Sequence, residues 1–178
     1  QYGLYTTSAT ADITGNVIDT PALTGIYVKG GSGVKVTNNK ISGNKGGSGI
    51  YLVEKASASG INGNTIANSK ENGIYIKDST AKTISENTIT SPGTRGISFS
   101  AGKATTVSKN TITKPKQDGI YVAEKSKVTT IGGTKNEKNT ITTAGVNGIA
   151  VKSAVVTTVS GNDITGSKSA NIRVESAT

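Results

Sequence analysis

Residues 73–95 read GIYIKDSTAKTISENTITSPGTR, and variants of this segment recur along most of the 178 residues. Each variant opens with a glycine, or its replacement, followed by two inward aliphatic residues separated by one outward residue. The opening positions are Gly3, Gly25, Gly49, Gly73, Gly96, Gly119, Gly148 and Asn171. They lie 22, 24, 24, 23, 23, 29 and 23 residues apart. A regular period in this range is typical of a solenoid, in which each repeat forms one coil.

Each repeat contains three short segments in which apolar and polar residues alternate, as in Ile74-Tyr75-Ile76 and Thr88-Ile89-Thr90. This alternation predicts β-strands, and the apolar stripe of an amphipathic helix appears nowhere. We therefore expect an all-β parallel solenoid of about 7–8 coils, with three strands of three to five residues per coil of ~23 residues. The coil of 29 residues keeps its pattern if its extra residues lie in Gly132–Lys138.

An asparagine precedes the third strand of every complete repeat. These residues are Asn16, Asn39, Asn64, Asn87, Asn110, Asn139 and Asn162, here called the Asn ladder. Asparagine tolerates positive φ better than other non-glycine residues, and stacked side-chain amides can bond from coil to coil. We expect each ladder asparagine to adopt the left-handed conformation in a turn.

The combination of G-I-x-V with V/I-x-x-N-x-I at this period resembles the right-handed parallel β-helix repeats of pectate-lyase-like proteins. The resemblance implies a right-handed, single-stranded parallel β-helix over residues 1–178, with strands called PB1, PB2 and PB3 and an Asn ladder at the turn from PB2 to PB3. It also implies that a polysaccharide groove, where one exists, lies on PB1.

One outward row of PB1 is aromatic. It contains Tyr5, Tyr27, Tyr51, Tyr75 and Tyr121, here called the tyrosine strip, and is interrupted at Ser98. A second row, two residues further along PB1, is expected to face outward as well. It contains Lys29, Val53, Lys77, Ser100, Ala123 and Lys152. Tyrosine rings contact sugars and lysine attracts uronate carboxylates, so these rows predict contact with acidic polysaccharide. The alternative is that tyrosine favours a pleated surface and stacks on itself.

The composition restricts the possible chemistry. There is no Cys, His, Met or Trp, which excludes zinc fingers, thiolate clusters, cysteine nucleophiles and histidine-based triads, and any metal would have to be a hard, oxygen-ligated one. By resemblance, the remaining enzymatic alternative is a polysaccharide lyase, with calcium as the one conceivable metal. Its candidate residues are Lys77, Asp78, Arg95, Asp118 and Glu124. Arg95 and Asp118 stand on neighbouring coils, where we expect a surface ion pair of little energy. No metal site is predicted outside this alternative.

Two further functions receive little support from the sequence. The threonines of Thr88-Ile89-Thr90, Thr111-Ile112-Thr113 and Thr140-Ile141-Thr142 resemble an ice-binding lattice, but neighbouring coils interrupt the array with charged residues. The net charge of +9 is spread over every face, with two arginines, which argues against nucleic acid. No apolar run long enough for membrane insertion occurs.

The chain begins inside a repeat and lacks methionine, so we expect a segment of a larger, secreted or cell-surface bacterial protein. Its expected partner is a polysaccharide or cell-wall glycan, with no cofactor. A purely structural or adhesin spacer is the remaining interpretation. Since neither end of the sequence contains a capping helix, end-to-end self-association or contact with adjacent domains is also expected.

Overall fold

The computed structural model describes residues 1–7 and 10–176, which form 22 strands. The PB1 strands are Leu4–Thr6 (β1), Ile26–Lys29 (β4), Ile50–Val53 (β7), Ile74–Lys77 (β10), Ile97–Ser100 (β13), Ile120–Ala123 (β16), Ile149–Lys152 (β19) and Ile172–Glu175 (β22). The PB2 strands are Asp12–Thr14 (β2), Val34–Thr37 (β5), Ser57–Asn62 (β8), Thr80–Ser85 (β11), Lys103–Ser108 (β14), Lys127–Gly132 (β17) and Val155–Ser160 (β20). The PB3 strands are Val17–Asp19 (β3), Lys40–Ser42 (β6), Thr65–Ala67 (β9), Thr88–Thr90 (β12), Thr111–Thr113 (β15), Thr140–Thr142 (β18) and Asp163–Thr165 (β21).

The strands assemble into three parallel sheets, one for each strand type, with eight, seven and seven members. Every strand pairs with its equivalent one coil away, as Tyr51 does with Tyr27 and with Tyr75. The described residues therefore form seven complete coils and the opening strand of an eighth. The predicted all-β parallel solenoid is confirmed. No helix long and apolar enough to span a membrane is present among the described residues.

PB2 is longer than the sequence predicts, since five of its seven strands have six residues. The extension carries a second inward row of small residues, in which Ala81 is fully buried and Ala104 is 6% exposed. Alanine gives a weak apolar signal, so this row was not recognised as part of the core. Behind all three sheets, the interior consists of stacked aliphatic side chains with one ring, Phe99.

The glycine that opens PB1 is required by close packing rather than by its φ angle. A Cβ atom on Gly73 would lie 2.5 Å from Cγ2 of Ile89 and 2.7 Å from the carbonyl oxygen of Gly96. The same two contacts recur at the other PB1 glycines of the coils. The Gly-Ile-x-Val motif therefore marks the point where PB1 passes over the PB3 isoleucine.

The turn from PB2 to PB3 differs from the prediction. In six of the seven turns the residue with positive φ is the one before the ladder asparagine, for example Glu86 (φ 59°) before Asn87 and Lys109 (φ 57°) before Asn110; the long coil, with Lys138 before Asn139, is the exception. The prediction that the ladder asparagines themselves adopt the left-handed conformation is wrong. The preceding residue reverses the chain, and the asparagine that follows directs its buried amide into the coil.

The ladder amides form a continuous row of hydrogen bonds. Nδ2 of Asn87 donates to the carbonyl oxygen of Ile61 (2.8 Å) and to Oδ1 of Asn110 (2.9 Å). Oδ1 of Asn87 accepts from the backbone N–H (3.0 Å) and from Nδ2 (2.9 Å) of Asn64. The side-chain contact repeats from Asn16 to Asn162. Each internal amide thus satisfies its buried polar atoms inside the coil.

The extra residues of the long coil lie between β17 and β18, where the sequence places them. A short turn is closed by the carboxylate of Glu137, which accepts from the N–H and the hydroxyl of Thr134 at 3.1 Å each. These two hydrogen bonds hold the pKa of Glu137 below its ordinary value. The Lys109 N–H donates to the Glu137 carbonyl oxygen at 3.2 Å, which attaches the turn to the preceding coil.

Candidate functional site

The tyrosine strip lies on the outer face of PB1. Strand pairing places Tyr5, Tyr27, Tyr51 and Tyr75 next to one another on successive coils. The inward neighbours of Tyr27, Tyr51 and Tyr75 are fully buried aliphatic residues, so the alternation of PB1 forces these rings outward. Tyr121 lies two coils beyond Tyr75, because Ser98 occupies the intervening position.

The rings contact one another along the coil axis. The pairs Tyr5–Tyr27 and Tyr51–Tyr75 are stacked, with centroids 5.5 and 4.8 Å apart, whereas Tyr27–Tyr51 meet edge to face at 5.2 Å. Tyr2 joins them, with its centroid 4.6 Å from that of Tyr27. Sequence reasoning missed Tyr2 because it precedes the first repeat motif. Since neighbouring rings cover many of the ring faces, the strip presents mainly ring edges and phenol hydroxyls to solvent.

Burial within this stack changes the acidity of the central phenols. Desolvation, reinforced by the neighbouring phenols of Tyr75 and Tyr27, raises the pKa of Tyr51 to about 12. Desolvation also raises the pKa of Tyr27. Both phenols are therefore neutral near pH 7 and able to donate a hydrogen bond as well as accept one.

The two lysines beside the strip differ in their environment. Nζ of Lys29 lies 3.3 Å from a carboxylate oxygen of Glu54, and this hydrogen bond raises the pKa of Lys29. Lys77 is exposed and makes no salt bridge with any described residue. The row that contains them is only partly outward, because Val53 and Ala123 are buried at 8% and 3% exposure. The prediction that these two face solvent is wrong.

The break at Ser98 is filled by an arginine. The guanidinium carbon of Arg95, a residue of the same coil as Ser98, lies 3.9 Å from the centroid of the Tyr121 ring. Ser98 itself is only 3% exposed. Arg95 therefore extends the row of side chains where the repeat lacks a tyrosine, and covers one face of Tyr121 with a cation.

Arg95 is also tied to Asp118, which is buried. Nε of Arg95 lies 3.3 Å from Oδ2 of Asp118, and the Asp118 side chain is 7% exposed. Oδ1 of Asp118 accepts from Nδ2 (2.8 Å) and the backbone N–H (3.2 Å) of Asn147 on the following coil. The expected weak surface ion pair is therefore wrong: it is a hydrogen-bonded network across three coils, with the charged groups partly shielded from water.

The five lyase candidates do not converge. Arg95 and Asp118 lie immediately before PB1, whereas Lys77, Asp78 and Glu124 lie at its far end. Asp78 and Glu124 are separated by the coil of Ala101, about 9.6 Å along the axis. Glu124 accepts a hydrogen bond from the hydroxyl of Ser100. Among residues 1–7 and 10–176, no group of three or more metal-ligating side chains of this kind comes together.

The threonine array on PB3 is short. Thr65, Thr88, Thr111 and Thr140 pair in register on four successive coils, and the full Thr-x-Thr pattern occupies the last three of them. Asp163 follows Thr140 on the next coil and ends the row. The array therefore offers a narrow threonine surface of three coils.

The coil architecture and its outward aromatic row define a parallel β-solenoid repeat protein. The family model described as "Right handed beta helix region" matches residues 1–135 and residues 105–178, and the chain belongs to this family. The predicted right-handed β-helix is thereby confirmed, and the resemblance to pectate-lyase-like repeats is consistent with it. Searches of the curated proteins and of the solved structures give no significant match.

Proposed function

We propose that this β-helix is a secreted or cell-surface module that contacts acidic polysaccharide along the tyrosine strip. The membership of the family supports a structural or carbohydrate-related module. The more specific statement depends on one observation: a continuous row of phenols from Tyr2 to Tyr75, with Lys77 beside it, a cation that forms no salt bridge within residues 1–7 and 10–176.

The geometry suggests how such a ligand would lie. An extended glycan running along the coil axis would contact ring edges through its C–H groups and exchange hydrogen bonds with the neutral phenol hydroxyls. Lys77 would attract the carboxylates of the glycan, whereas Lys29 already forms a salt bridge with Glu54. Lys77 is therefore the more important cation for binding in this proposal.

The test is a calorimetric titration with an oligogalacturonate at low salt. Wild-type protein is expected to bind weakly, and Tyr51→Ala to lose most of the affinity, because Tyr51 contacts the rings on both sides. Thr111→Ala, an exposed change on PB3, serves as the control and is expected to bind like wild type. Binding should also weaken with added salt, since the lysine contribution is screened. Equal loss in both variants, or no saturable binding, would refute the proposal.

A structural spacer is the second candidate, and the ring-to-ring contacts favour it. Stacked tyrosines stabilise neighbouring coils without any ligand. The same titration separates the two functions. A spacer predicts that Tyr51→Ala lowers the melting temperature while no glycan binds, whereas a binding surface predicts a loss of affinity in a variant that is still folded.

A further inference from the structure

The tyrosine strip is interrupted a second time, at Ala150. In the register of PB1, Ala150 lies between Tyr121 on the preceding coil and Arg173 on the following coil. Arg95 fills the earlier gap at Ser98, but the equivalent position in the coil of Ala150 is Asn147. Its side chain is buried and turned toward Asp118. Asn147 therefore does not cover this gap as Arg95 covers the gap at Ser98.

The result is an open cavity of about 250 Å³, here called the Ala150 slot. Its lining includes Tyr121 on one side, Arg173 on the other, Ala150 at the base, and Lys152 and Glu175 at the rim. Tyr121 and Arg173 are two coils apart, about 9.6 Å by strand spacing. This distance leaves room for one flat ring at van der Waals separation from each side.

The two walls differ in chemistry, and both favour an aromatic ring. Arg95 covers one face of Tyr121, and Tyr121 also lines the slot. Arg173 is oriented by Glu175, whose carboxylate accepts from its Nε at 2.6 Å. A π system placed between them would stack on Tyr121 and receive the cation on its other face. A saturated sugar ring has no π face to offer to the guanidinium.

We propose that the Ala150 slot binds a phenol ring, either as a free phenol or as the tyrosine side chain of a peptide. The ring would occupy the position that Tyr51 or Tyr75 occupies in its own coil, and so would complete the row from outside. This site is separate from the glycan contact proposed above and does not depend on it.

The experiment follows the amide resonances of Ala150 and Val151 by NMR during titration with p-cresol and, separately, with N-acetyltyrosine amide. Saturable shifts with millimolar affinity are expected for both probes. A tighter fit for N-acetyltyrosine amide would identify a peptide as the source, and equal affinities a free phenol. Shifts confined to other sheets, or no saturation, would overturn the proposal.

Two variants and a control test the geometry. Ala150→Tyr should fill the slot and weaken binding at least tenfold, since tyrosine already occupies this row on five other coils. Arg173→Gln keeps the slot open but removes the cation, and should weaken binding about threefold to tenfold. Thr111→Tyr adds a tyrosine on PB3 and should leave binding unchanged.

Two outcomes would contradict this assignment even if the probes bind. Unchanged affinity in Ala150→Tyr would place the ring elsewhere on the protein. Tighter binding of glucuronate than of N-acetyltyrosine amide in the same slot would mean that the site recognises a sugar instead of an aromatic ring. Neither result bears on the proposed glycan contact at Tyr51, which the oligogalacturonate titration tests separately.

Discussion

The Asn ladder and the tyrosine strip are both rows of one residue type repeated on successive coils. The ladder lies inside the coils, whereas the strip lies on their outer face. The Asn87 side chain is fully buried, and each of its polar atoms has a partner in the described residues. Tyr5 is 50% exposed, and the strip is interrupted at Ser98 and at Ala150. The buried row tolerates no interruption in seven coils, whereas the exposed row varies. We conclude that the ladder stabilises the fold and that the strip is available for contact with other molecules.

The largest effect is expected for Asn87→Ala. The substitution removes the side-chain donor to the Ile61 carbonyl oxygen and the buried acceptor of the Asn64 backbone N–H. Nδ2 of Asn64 loses one of its acceptors but keeps the carbonyl oxygen of Val36. Each buried unsatisfied group costs about 1–3 kcal/mol, so the free energy of unfolding should fall by about 2–4 kcal/mol. No backbone strain contributes, because Asn87 does not have positive φ. Denaturant unfolding followed by circular dichroism measures the loss.

Asn16→Ala is the matched control for this variant. Asn16 ends the ladder in the first coil, where its side chain is part-exposed and can exchange its bonds with water. The expected loss is below about 1 kcal/mol. Equal losses at Asn16 and Asn87 would show that burial of the ladder is not what makes it important.

A somewhat smaller effect is expected for Asp118→Ala, in the network that connects Arg95 with Asn147 beside the tyrosine strip. The variant removes the acceptor of Arg95 and of the Asn147 donors. Because Arg95 is 29% exposed and can be partly solvated, we expect a loss of about 2 kcal/mol rather than the larger cost of a fully buried pair. Thermal melts of Asp118→Ala and of Asp163→Ala, which breaks an exposed pair with Lys138, give the comparison. Similar losses would mean that the Asp118 network behaves like a surface ion pair.

The pH dependence sharpens the description of the strip. The pKa of Tyr51 is raised from the ordinary 10.0 to about 12, so the folded protein keeps a proton that the unfolded chain has lost in this interval. Stability is therefore unaffected by Tyr51 below pH 10 and falls as the pH rises from about 10 to about 12. Tyrosinate absorbance should show a late-titrating phenol that Tyr51→Phe removes. Loss of an early-titrating phenol in this variant would contradict the stacked arrangement.

The weakest expected effect is self-association through the two ends of the solenoid. At the C-terminal end of the solenoid, Val155 in β20 and Val174 in β22 are 57% and 68% exposed. On the first coil, Val17 is 77% exposed. The edges of β1 and β22 have no strand partner among the described residues. We expect weak end-to-end association, visible by sedimentation equilibrium as a mass that rises with concentration. Val174→Lys should reduce the end-to-end association. A monomer mass that stays constant with concentration would contradict the expected association.

Much of the fold could be predicted because a repeat reports the same position several times. The spacing of the Gly-Ile-Tyr-Val motifs and of the asparagines defined the coil, the strand types and the inward rows. The position of positive φ was missed although Gly15, Gly63 and Gly161 indicate it, because Glu86 and Lys109 at the equivalent position carry no such signal and the neighbouring asparagine carries a strong one. The second PB2 row was missed because Ala81 resembles a surface residue in sequence.

The candidate site was predictable only as a row. Periodicity places Tyr51 next to Tyr75, but their mutual stacking depends on rotamers that the sequence does not specify. Arg95 belongs to the positions directly before the PB1 glycines, and Tyr121 belongs to the tyrosine strip. Their contact connects two sets of positions that look independent in the sequence. The same register places Ala150 between Tyr121 and Arg173, so the second gap in the tyrosine strip could be found from the sequence. That the gap forms an open cavity could be seen only in the structure.

The most direct test of the contrast between the two rows is a single NMR titration of the wild-type protein with oligogalacturonate at low salt. Saturable shifts are expected for amides of β4, β7 and β10 around Tyr27, Tyr51 and Tyr75. The side-chain amide resonances of Asn64, Asn87 and Asn110 should remain in place, because they are shielded inside the coil. Shifts of the ladder amides comparable to those of PB1, or no saturable shift anywhere on PB1, would contradict this contrast.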